Sequence, residues 1–269
     1  MEKPKIGIYC LTGCGGDQLM LLNLEGELLK ILENVELVAF HEASSAHCDK
    51  EVDIAIVEGS VSTSLDLGRL RAIRSRSKML IALGDCAIGG CVQAMRNRAM
   101  PMAEKMRLVY GKKAGYYDVL EPYGLSKHVK VDLELKGCPI EIPEVRQVLL
   151  TLLHGDIPVI KDYPVCVECK LNEFPCLLVE KGLPCLGPII AAGCDARCPG
   201  LGLDCIGCRG PIADETNAAE ELRTLKAKGY GEAFIVDRLR FFGANFEGIA
   251  KLGSLLGKKK RSRGERNGK

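Results

Sequence analysis

The sequence predicts an α/β fold in which a doubly wound parallel sheet precedes a cysteine-rich region of little regular structure and then helices. Three observations carry this prediction. Short apolar runs alternate with stretches of helical periodicity through the first half of the chain. Cysteine, glycine and proline then become frequent, and helical periodicity returns before a basic tail. No run reaches about 18 apolar residues, so no transmembrane helix is expected.

Four apolar runs rich in β-branched residues are predicted to be buried parallel strands. They cover residues 5–10, 35–40, 52–59 and 78–84. A fifth strand is predicted within HVKVDLELKGCP and ends near Gly137. Leucines and isoleucines at helical spacing predict helices over residues 18–33 and 65–75. Such alternation is typical of a doubly wound sheet.

The second half is predicted to contain a cysteine-rich segment, a helical extension and a tail. Between Tyr163 and Pro211 few runs are long enough for regular elements, so this segment cannot build a hydrophobic core alone. Helices are predicted over residues 217–228 and 231–256. The basic tail GKKKRSRGERNGK is predicted to be disordered, and it serves solubility or, alternatively, docking or a nucleic-acid contact. The predicted domains are residues 1–157, 158–215, 216–257 and 258–269.

Composition narrows the classes of function. The N-terminus MEKPKIGIYC lacks the apolar core and cleavage site of a signal peptide, so a cytoplasmic location is expected. The formal net charge of the 269 residues is +2, and neither a nucleic acid nor a membrane is expected as a partner. The chain contains 14 cysteines, which in a reducing compartment indicate metal or cluster binding.

Eight of the cysteines form two consecutive sets of four in the second half of the chain. A Cys-x2-Cys pair brings two sulfurs together around a tight turn, and two further cysteines complete a tetrahedral set. Each set could hold zinc or an iron–sulfur cubane, and the spacing alone leaves both open. The two sets are Cys166-x2-Cys169-x6-Cys176-x8-Cys185 and Cys194-x3-Cys198-x6-Cys205-x2-Cys208.

Three cysteines of the first half each follow a predicted strand. They are Cys14, Cys86 and Cys138. Because the carboxyl ends of parallel strands share one edge of a sheet, the three side chains are expected to meet there. Without a local Cys-x2-Cys pair the group suits a cluster better than zinc. The alternative is that all three are buried and act as small apolar side chains.

The motifs resemble those of the small, electron-transferring subunit of NiFe hydrogenases, and the resemblance covers residues 5–211. The motifs are LTGC, VEGSVS, GDCA, GCP, PVCVECK, PCLGP and GCDARCPGLGLDCIGCRGP. The sequence is most similar to the cytosolic branch with sulfhydrogenase delta subunits and the small subunits of methanogen hydrogenases. A cluster-bearing 20 kDa subunit of respiratory complex I is similar to the N-terminal part. The resemblance implies a flavodoxin-like first domain.

The resemblance also implies three 4Fe–4S clusters with named ligands. A proximal cluster is implied at Cys14, Asp17, Cys86 and Cys138. A distal cluster is implied at Cys166, Cys169, Cys176 and Cys185. A medial cluster is implied at Cys194, Cys198, Cys205 and Cys208. Relatives with a medial 3Fe–4S cluster have proline in the place of Cys198, so a full set of four cysteines suggests 4Fe–4S.

Asp17 departs from the family pattern, which has Cys-x-x-Cys in the first loop. One interpretation is that its carboxylate binds iron as the fourth proximal ligand. A second is that one of the unassigned cysteines substitutes, with Cys10 and Cys91 favoured over Cys48. A third is a cluster with three protein ligands. A fourth is that Asp17 caps the following helix.

The function that the resemblance implies is an electron relay without catalytic residues of its own. A large catalytic subunit would face the proximal cluster. The distal cluster would pass electrons to a flavin-bearing or ferredoxin-like partner, which could be heterodisulfide reductase. Two alternatives stay open, an electron-transfer adaptor without a NiFe centre and a zinc-stabilised scaffold. Glu58, at the same sheet edge, would orient the proximal loop or contact a partner, or simply accept backbone N–H bonds.

Overall fold

The computed structural model describes residues 3–40, 42–44, 50–95, 97, 100–212 and 216–245. Contacts within the chain group it into two compact units, Met1–Lys161 and Asp162–Lys269. The predicted tail and Cys48 lie outside the described residues. Among the described residues, no helix combines the length and the apolar character needed to cross a bilayer.

The first unit contains a sheet of five strands that are all parallel. The strands are β1 (Lys5–Cys10), β2 (Glu36–Phe40), β3 (Val52–Glu58), β4 (Ser77–Leu83) and β5 (Leu133–Leu135). Their order in the sheet is β2-β1-β3-β4-β5. The chain reverses its direction of progress across the sheet between β1 and β3, which is the switch point of a flavodoxin-like fold. The predicted α/β fold class is confirmed.

Eleven α-helices lie within the described residues. In the first unit they are α1 (Gly16–Leu22), α2 (Gly26–Leu32), α3 (Ser64–Ser75), α4 (Gly84–Gly89), α5 (Cys91–Ala94), α6 (Met102–Tyr110) and α7 (Ile142–Leu153). In the second unit they are α8 (Val165–Leu171), α9 (Arg197–Gly200), α10 (Thr216–Ala227) and α11 (Glu232–Gly243). Short 3₁₀ helices cover Gly111–Tyr116, Leu125–Lys127 and Gly187–Ile189.

Two helix predictions need correction. The predicted helix over residues 18–33 is two helices, because the chain breaks at Glu25, whose φ of 48° is outside the helical region. The predicted helix over residues 231–256 ends at Gly243, and the part beyond residue 245 lies outside the described residues. Glycine has a low helix propensity, which fits an end at this position.

The core of the first unit lies against the sheet. Branched residues of the strands, such as Ile8, Ile56 and Ile81, are almost fully buried. On α7, Val145, Val148 and Leu149 recur at a spacing of three and four residues and form one buried face. Burial of nearly continuous apolar strands is what a parallel sheet covered by helices requires.

The register of the strands places their carboxyl ends level. Cys10 pairs with Glu58, Glu58 with Leu83, and Leu83 with Leu135. Beyond the last pair, the backbone N–H of Asp85 donates to the carbonyl of Gly137 at 2.8 Å. The loops that follow these strands therefore start at one edge, where ligands bind in such folds.

The core of the second unit is shared between the C-terminal helices and the cysteine-rich segment. Leu222 and Leu225 of α10 and Ile235 and Leu239 of α11 are buried in one cluster with residues of the cysteine-rich segment. The latter residues are Val165, Leu178, Cys185, Leu186, Ile189, Ile190, Ala196 and Cys205. The hydroxyl of Tyr230 also donates to the carbonyl of Gly182 at 2.8 Å. The helices thus supply apolar surface that the cysteine-rich segment lacks.

A capping box stabilises the N-terminus of α3. The Thr63 hydroxyl accepts the N–H of Asp66 at 3.0 Å, and the Asp66 carboxylate accepts the N–H of Thr63 at 3.0 Å. Replacing Thr63 by alanine removes one of these bonds. We predict that Thr63→Ala lowers the free energy of unfolding by about 1 kcal/mol. The melting temperature should fall by about 2–4 °C.

Circular dichroism during heating measures this effect. Ser64→Ala is the matched control, because Ser64 is exposed and its N–H, not its hydroxyl, is bonded to Asp118. Equal melting temperatures for the two variants would contradict the capping role of Thr63.

Candidate metal centres

Three thiols meet at the carboxyl edge of the sheet. Cys86 lies in the first turn of α4, Cys138 follows β5, and Cys91 begins α5. The Cys91 thiol lies within hydrogen-bond reach of both Cys138 and Cys86. This contact lowers the pKa of Cys138 to about 7 and also lowers the pKa of Cys86, against the effect of burial. Cys91 has one S–H proton and can donate it to one of these sulfurs at a time, and the two contacts raise its own pKa. The thiolate is the form that binds iron, so this arrangement favours ligation by Cys86 and Cys138.

Cys91 reaches this position through an unusual backbone. Gly90 and Cys91 both have positive φ angles, 80° and 46°, which turn the chain back between α4 and α5. The sequence contained a signal for this turn, the glycine pair of the motif GGC. That signal indicated proximity to Cys86 but not a position between Cys86 and Cys138.

Asp17 is buried in the same region, with 5% of its surface exposed. Its Oδ1 accepts the N–H of Ile140 at 2.9 Å, and its carboxylate contacts the Cα of Gly84. Burial raises the pKa of Asp17 to about 7, and the N–H of Ile140 opposes this rise. The capping interpretation is wrong, because the N-cap of α1 is Gly15 and Asp17 lies inside the helix.

Gly84 leaves room for this carboxylate. Its φ of +77° is unfavourable for any other residue, and a Cβ at this position would overlap with Oδ2 of Asp17. The first turn of α4, which carries Cys86, is therefore in direct contact with the first turn of α1, which carries Asp17.

Cys14 is the exposed member of the predicted proximal group. Its Sγ accepts the N–H of Gly16 at 3.3 Å. Gln93 connects its loop to Cys86, because the Cys86 thiol donates to Oε1 of Gln93 at 3.4 Å and Nε2 of Gln93 donates to the carbonyl of Thr12 at 3.3 Å.

Glu58 holds the first turn of α1, which carries Asp17. It is 1% exposed and accepts the N–H groups of Asp17 at 3.4 Å and Gln18 at 3.1 Å. Burial raises its pKa, although these bonds act in the opposite direction. The simpler interpretation of Glu58, a strand-end carboxylate that accepts backbone N–H groups, describes these contacts.

Cys10 has a hydrogen-bond partner in the adjacent residue. Its thiol donates to the carbonyl of Leu11 at 3.3 Å. Burial and the charge of Glu58 raise its pKa to about 11.

Asp85 was missed by the sequence reasoning, although it stands beside Cys86 in GDCA. It is fully buried, and neither carboxylate oxygen accepts a well-formed hydrogen bond from the described residues, although the Cys91 thiol is near enough to act on its pKa. Burial and the neighbouring Cys138 and Cys86 raise its pKa well above the usual value. A buried polar group without a well-formed hydrogen bond requires an explanation, and a polar group bound at this edge would supply one.

The first four-cysteine set of the second unit is grouped around α8. Cys166 and Cys169 lie one turn apart on this helix and thus share a face. Burial, followed by the charges of Cys185, Cys169 and Cys176, raises the pKa of Cys166 to about 12. The other three thiols of the set therefore lie close enough to Cys166 for their charges to affect its pKa.

A glycine leaves space between two of these sulfurs. A Cβ on Gly187 would lie 3.2 Å from Sγ of Cys166 and 3.5 Å from Sγ of Cys185. The two sulfurs thus face one point that carries no side chain.

In the second set, the structure brings Cys194, Cys205 and Cys208 together. Burial raises the pKa of Cys205, as do the charges of Cys185, Cys208 and Cys194, while the N–H of Gly207 opposes the rise. Cys198 is the second residue of α9, which follows the turn at Cys194.

The donor set fits iron–sulfur clusters. All eight donors in the second unit are thiols, the ligands that such clusters use. No three Cys, His, Asp or Glu side chains of the described part of the chain converge as the ligands of a single metal ion do. The ligands of a cubane bind separate irons, so they do not have to converge on one ion.

The sequence profile of the family described as "NADH ubiquinone oxidoreductase, 20 Kd subunit" matches residues 14–152. The match includes all three cysteines predicted at the sheet edge. The chain belongs to this family. The matched residues cover most of the first unit, including the loops at its sheet edge.

Several hydrogenase subunits are similar in sequence to this chain. Sulfhydrogenase 2 subunit delta of Pyrococcus furiosus is 48% identical over 210 residues, which are 78% of this chain and 87% of that protein. One subunit of the F420-non-reducing hydrogenase of Methanocaldococcus jannaschii is 32% identical over 77% of this chain and 81% of its own length. The resemblance inferred from the motifs is thereby confirmed.

Two solved hydrogenase structures contain a chain that superposes on this one. A chain of an NAD+-reducing [NiFe]-hydrogenase in the H2-reduced state superposes with a TM-score of 0.54 at 27% identity, over 59% of this chain and 96% of that one. The actinobacterial-type NiFe-hydrogenase of Ralstonia eutropha H16 gives a TM-score of 0.54 over 100% of this chain and 94% of that one. Its identity is 14%, so it supports the fold alone.

The space at Gly187 generates a prediction. We expect Gly187→Ala to lower the iron content of the first four-cysteine set, because the added methyl group would press against Cys166 and Cys185. Iron per chain and visible absorption measure the effect. Gly68→Ala on α3 is the control, since nothing lies within 4 Å of its Cβ. Full iron in both variants would show that the Gly187 space is not needed.

Proposed function

We propose that the chain is the electron-transferring subunit of a cytoplasmic hydrogenase-type oxidoreductase complex. The observation that carries this proposal is the placement of the thiols. One group lies at the sheet edge and two groups of four lie in the second unit, in a chain 48% identical to a sulfhydrogenase delta subunit. Membership of the 20 kDa subunit family supports it, since the matched residues contain the sheet-edge group.

Three 4Fe–4S clusters are the proposed cofactors. When bound, each cluster takes up and passes on an electron. The proposed proximal ligands are Cys14, Asp17, Cys86 and Cys138. The proposed distal ligands are Cys166, Cys169, Cys176 and Cys185, and the proposed medial ligands are Cys194, Cys198, Cys205 and Cys208. The chain's own residues hold the clusters in place, and the buried ligands Cys86, Cys185 and Cys205 keep water from part of each site.

Asp17 is the proposed fourth proximal ligand. Its Oδ1 is held by the N–H of Ile140, which leaves Oδ2 as the second donor of the carboxylate. It follows Cys14 by three residues, so Cys14 in the loop before α1 and Asp17 in the first turn of α1 are near neighbours in the chain. Cys91 is the competing candidate, because its thiol already lies between Cys86 and Cys138. A carboxylate oxygen is a harder donor than a thiolate and would change the potential of the cluster.

The proposed partners follow from this relay. A large subunit with the hydrogen-splitting NiFe centre would deliver electrons to the proximal cluster. A flavin-bearing or ferredoxin-like subunit, or heterodisulfide reductase, would receive them from the distal cluster. Similar proteins are named as subunits of sulfhydrogenase, F420-non-reducing hydrogenase and NAD-reducing hydrogenase.

A second candidate function is an electron-transfer adaptor without a NiFe centre. The family match favours it, because the family takes its name from NADH ubiquinone oxidoreductase and not from hydrogenase. The aspartate in the first loop also favours it, since a changed proximal cluster need not serve hydrogen.

Metal analysis of the anaerobically purified complex tests the function. We predict about 12 iron atoms per chain from the three cubanes, in addition to the iron of any co-purifying subunit. Nickel should co-purify and belong to a separate large subunit. A complex with full iron and no nickel would favour the adaptor, and two zinc atoms without iron would leave only the scaffold interpretation.

Substitutions at the sheet edge test the fourth ligand. We predict that Asp17→Ala removes the proximal signal in electron paramagnetic resonance and spares the other two, whereas Asp17→Cys keeps the signal and shifts its potential. Cys91→Ala should retain the cluster. Cys10→Ala is the control for loss of a nearby thiol. Loss of the signal in Cys91→Ala, but not in Asp17→Ala, would assign the position to Cys91.

A further inference from the structure

Glu168 connects the two four-cysteine sets of the second unit. It lies on α8 between Cys166 and Cys169, yet its carboxylate binds elsewhere. Oε1 accepts the N–H of Gly193 at 2.9 Å, and Oε2 accepts the N–H of Ala196 at 3.3 Å. Only 2% of Glu168 is exposed. A carboxylate from the first set thus holds the turn that carries Cys194, the first cysteine of the second set.

Arg209, which comes later in the chain, also contacts the turn that carries Cys194. It follows Cys208 directly and is 2% exposed. Its Nε donates to the carbonyl of Ala192 at 2.7 Å, and its guanidinium contacts the Cα of Gly193. Burial of a charged side chain costs free energy unless the side chain is well hydrogen-bonded. Glu168 and Arg209 are both buried, and each is hydrogen-bonded to the backbone of this part of the chain.

The turn itself requires this support. Gly193, Asp195 and Ala196 all have positive φ angles, of 125°, 54° and 48°. Asp195 and Ala196 are not glycines, so the left-handed conformation is unfavourable for them. Such a backbone persists when surrounding contacts hold it, and the bonds to Glu168 are contacts of this kind.

A further contact joins the two sets directly. The N–H of Cys205 donates to Sγ of Cys185 at 3.3 Å, and the N–H of Leu186 donates to the carbonyl of Cys205 at 3.0 Å. The two sets therefore share hydrogen bonds at several places, since Nδ2 of Asn172, which follows α8, also donates to Oδ1 of Asp195 at 2.9 Å. Glu168 is the residue whose two carboxylate oxygens both accept backbone N–H groups of the turn that carries Cys194.

We propose that Glu168 is a positioning residue for the second four-cysteine set and acts through the turn that carries Cys194. The proposal rests on the proposed clusters, since its effect is read on the cluster that Cys194 would hold. Without Glu168 the turn relaxes and Cys194 moves away. A 4Fe–4S cluster in its 2+ state would then lose the iron that Cys194 no longer holds as Fe2+ and leave a neutral 3Fe–4S cluster, so no electron is gained or lost in this step.

Glu168→Gln tests this proposal in the anaerobically purified complex. Glutamine keeps the size of the side chain and one acceptor oxygen, but its amide nitrogen cannot accept an N–H. Ferricyanide, a one-electron oxidant, brings any 3Fe–4S cluster to the state visible by electron paramagnetic resonance. We expect a 3Fe–4S signal, one iron fewer per chain, and an unchanged distal cluster. Cys194→Ser should give the same spectrum.

Glu173→Gln is the matched control, because Glu173 is exposed and lies five residues further along the chain. It should keep the spectrum of the unaltered protein. If Glu168→Gln does not yield folded protein, Glu168→Asp replaces it. The shorter carboxylate cannot reach both N–H groups, so the same 3Fe–4S signal is expected.

The outcomes separate the inference from the proposed function. An unaltered protein without iron would overturn both. Full iron in the unaltered protein, with an identical spectrum for the Glu168 variants, would overturn the positioning role and leave the relay intact. Loss of the distal cluster instead, in whose motif Glu168 lies, would overturn the positioning role and indicate only a structural role within α8.

Discussion

The parallel register of β1, β3, β4 and β5 is the constraint on which the sheet-edge site depends. Residues from distant parts of the chain meet there only because the strands end level. Side-chain contacts then join the loops. Asp17 accepts the N–H of Ile140 beyond β5, Glu58 holds the start of α1, and Gln93 connects the loops of Cys86 and Thr12. A change in the register of one strand would separate the groups that the other loops present.

The second unit meets a different constraint, because its cysteine-rich segment has few long regular elements. Two kinds of interaction replace them. Apolar residues of α10 and α11 cover the segment, while buried charged groups such as Glu168 and Arg209 hold its turns through backbone hydrogen bonds. Cys185 and Cys205 are themselves part of the buried apolar cluster. The packing of the core therefore also fixes the positions of these two proposed ligands.

Much of the fold was predictable from the sequence, and less of the site. Four strands and the parallel sheet followed from apolar runs, because both faces of such strands are buried. The two four-cysteine sets followed from spacing within short segments. The place of Cys91 did not, since it depends on positive φ angles at Gly90 and Cys91. Nor did the partners of Asp17 and Glu168, which are backbone N–H groups of residues with no distinctive side chain.

The contact between Asp17 and Gly84 restricts the order in which this site can change during evolution. Two features exclude a side chain at position 84, namely the φ of +77° and the overlap with the carboxylate of Asp17. Cysteine at position 17 would have no carboxylate and would remove the second exclusion alone. A lineage could therefore exchange aspartate and cysteine at position 17 while glycine stays at 84. A side chain cannot be introduced at position 84 first, because the φ of +77° excludes it whichever residue stands at position 17. Position 17 can therefore change during evolution while position 84 stays glycine.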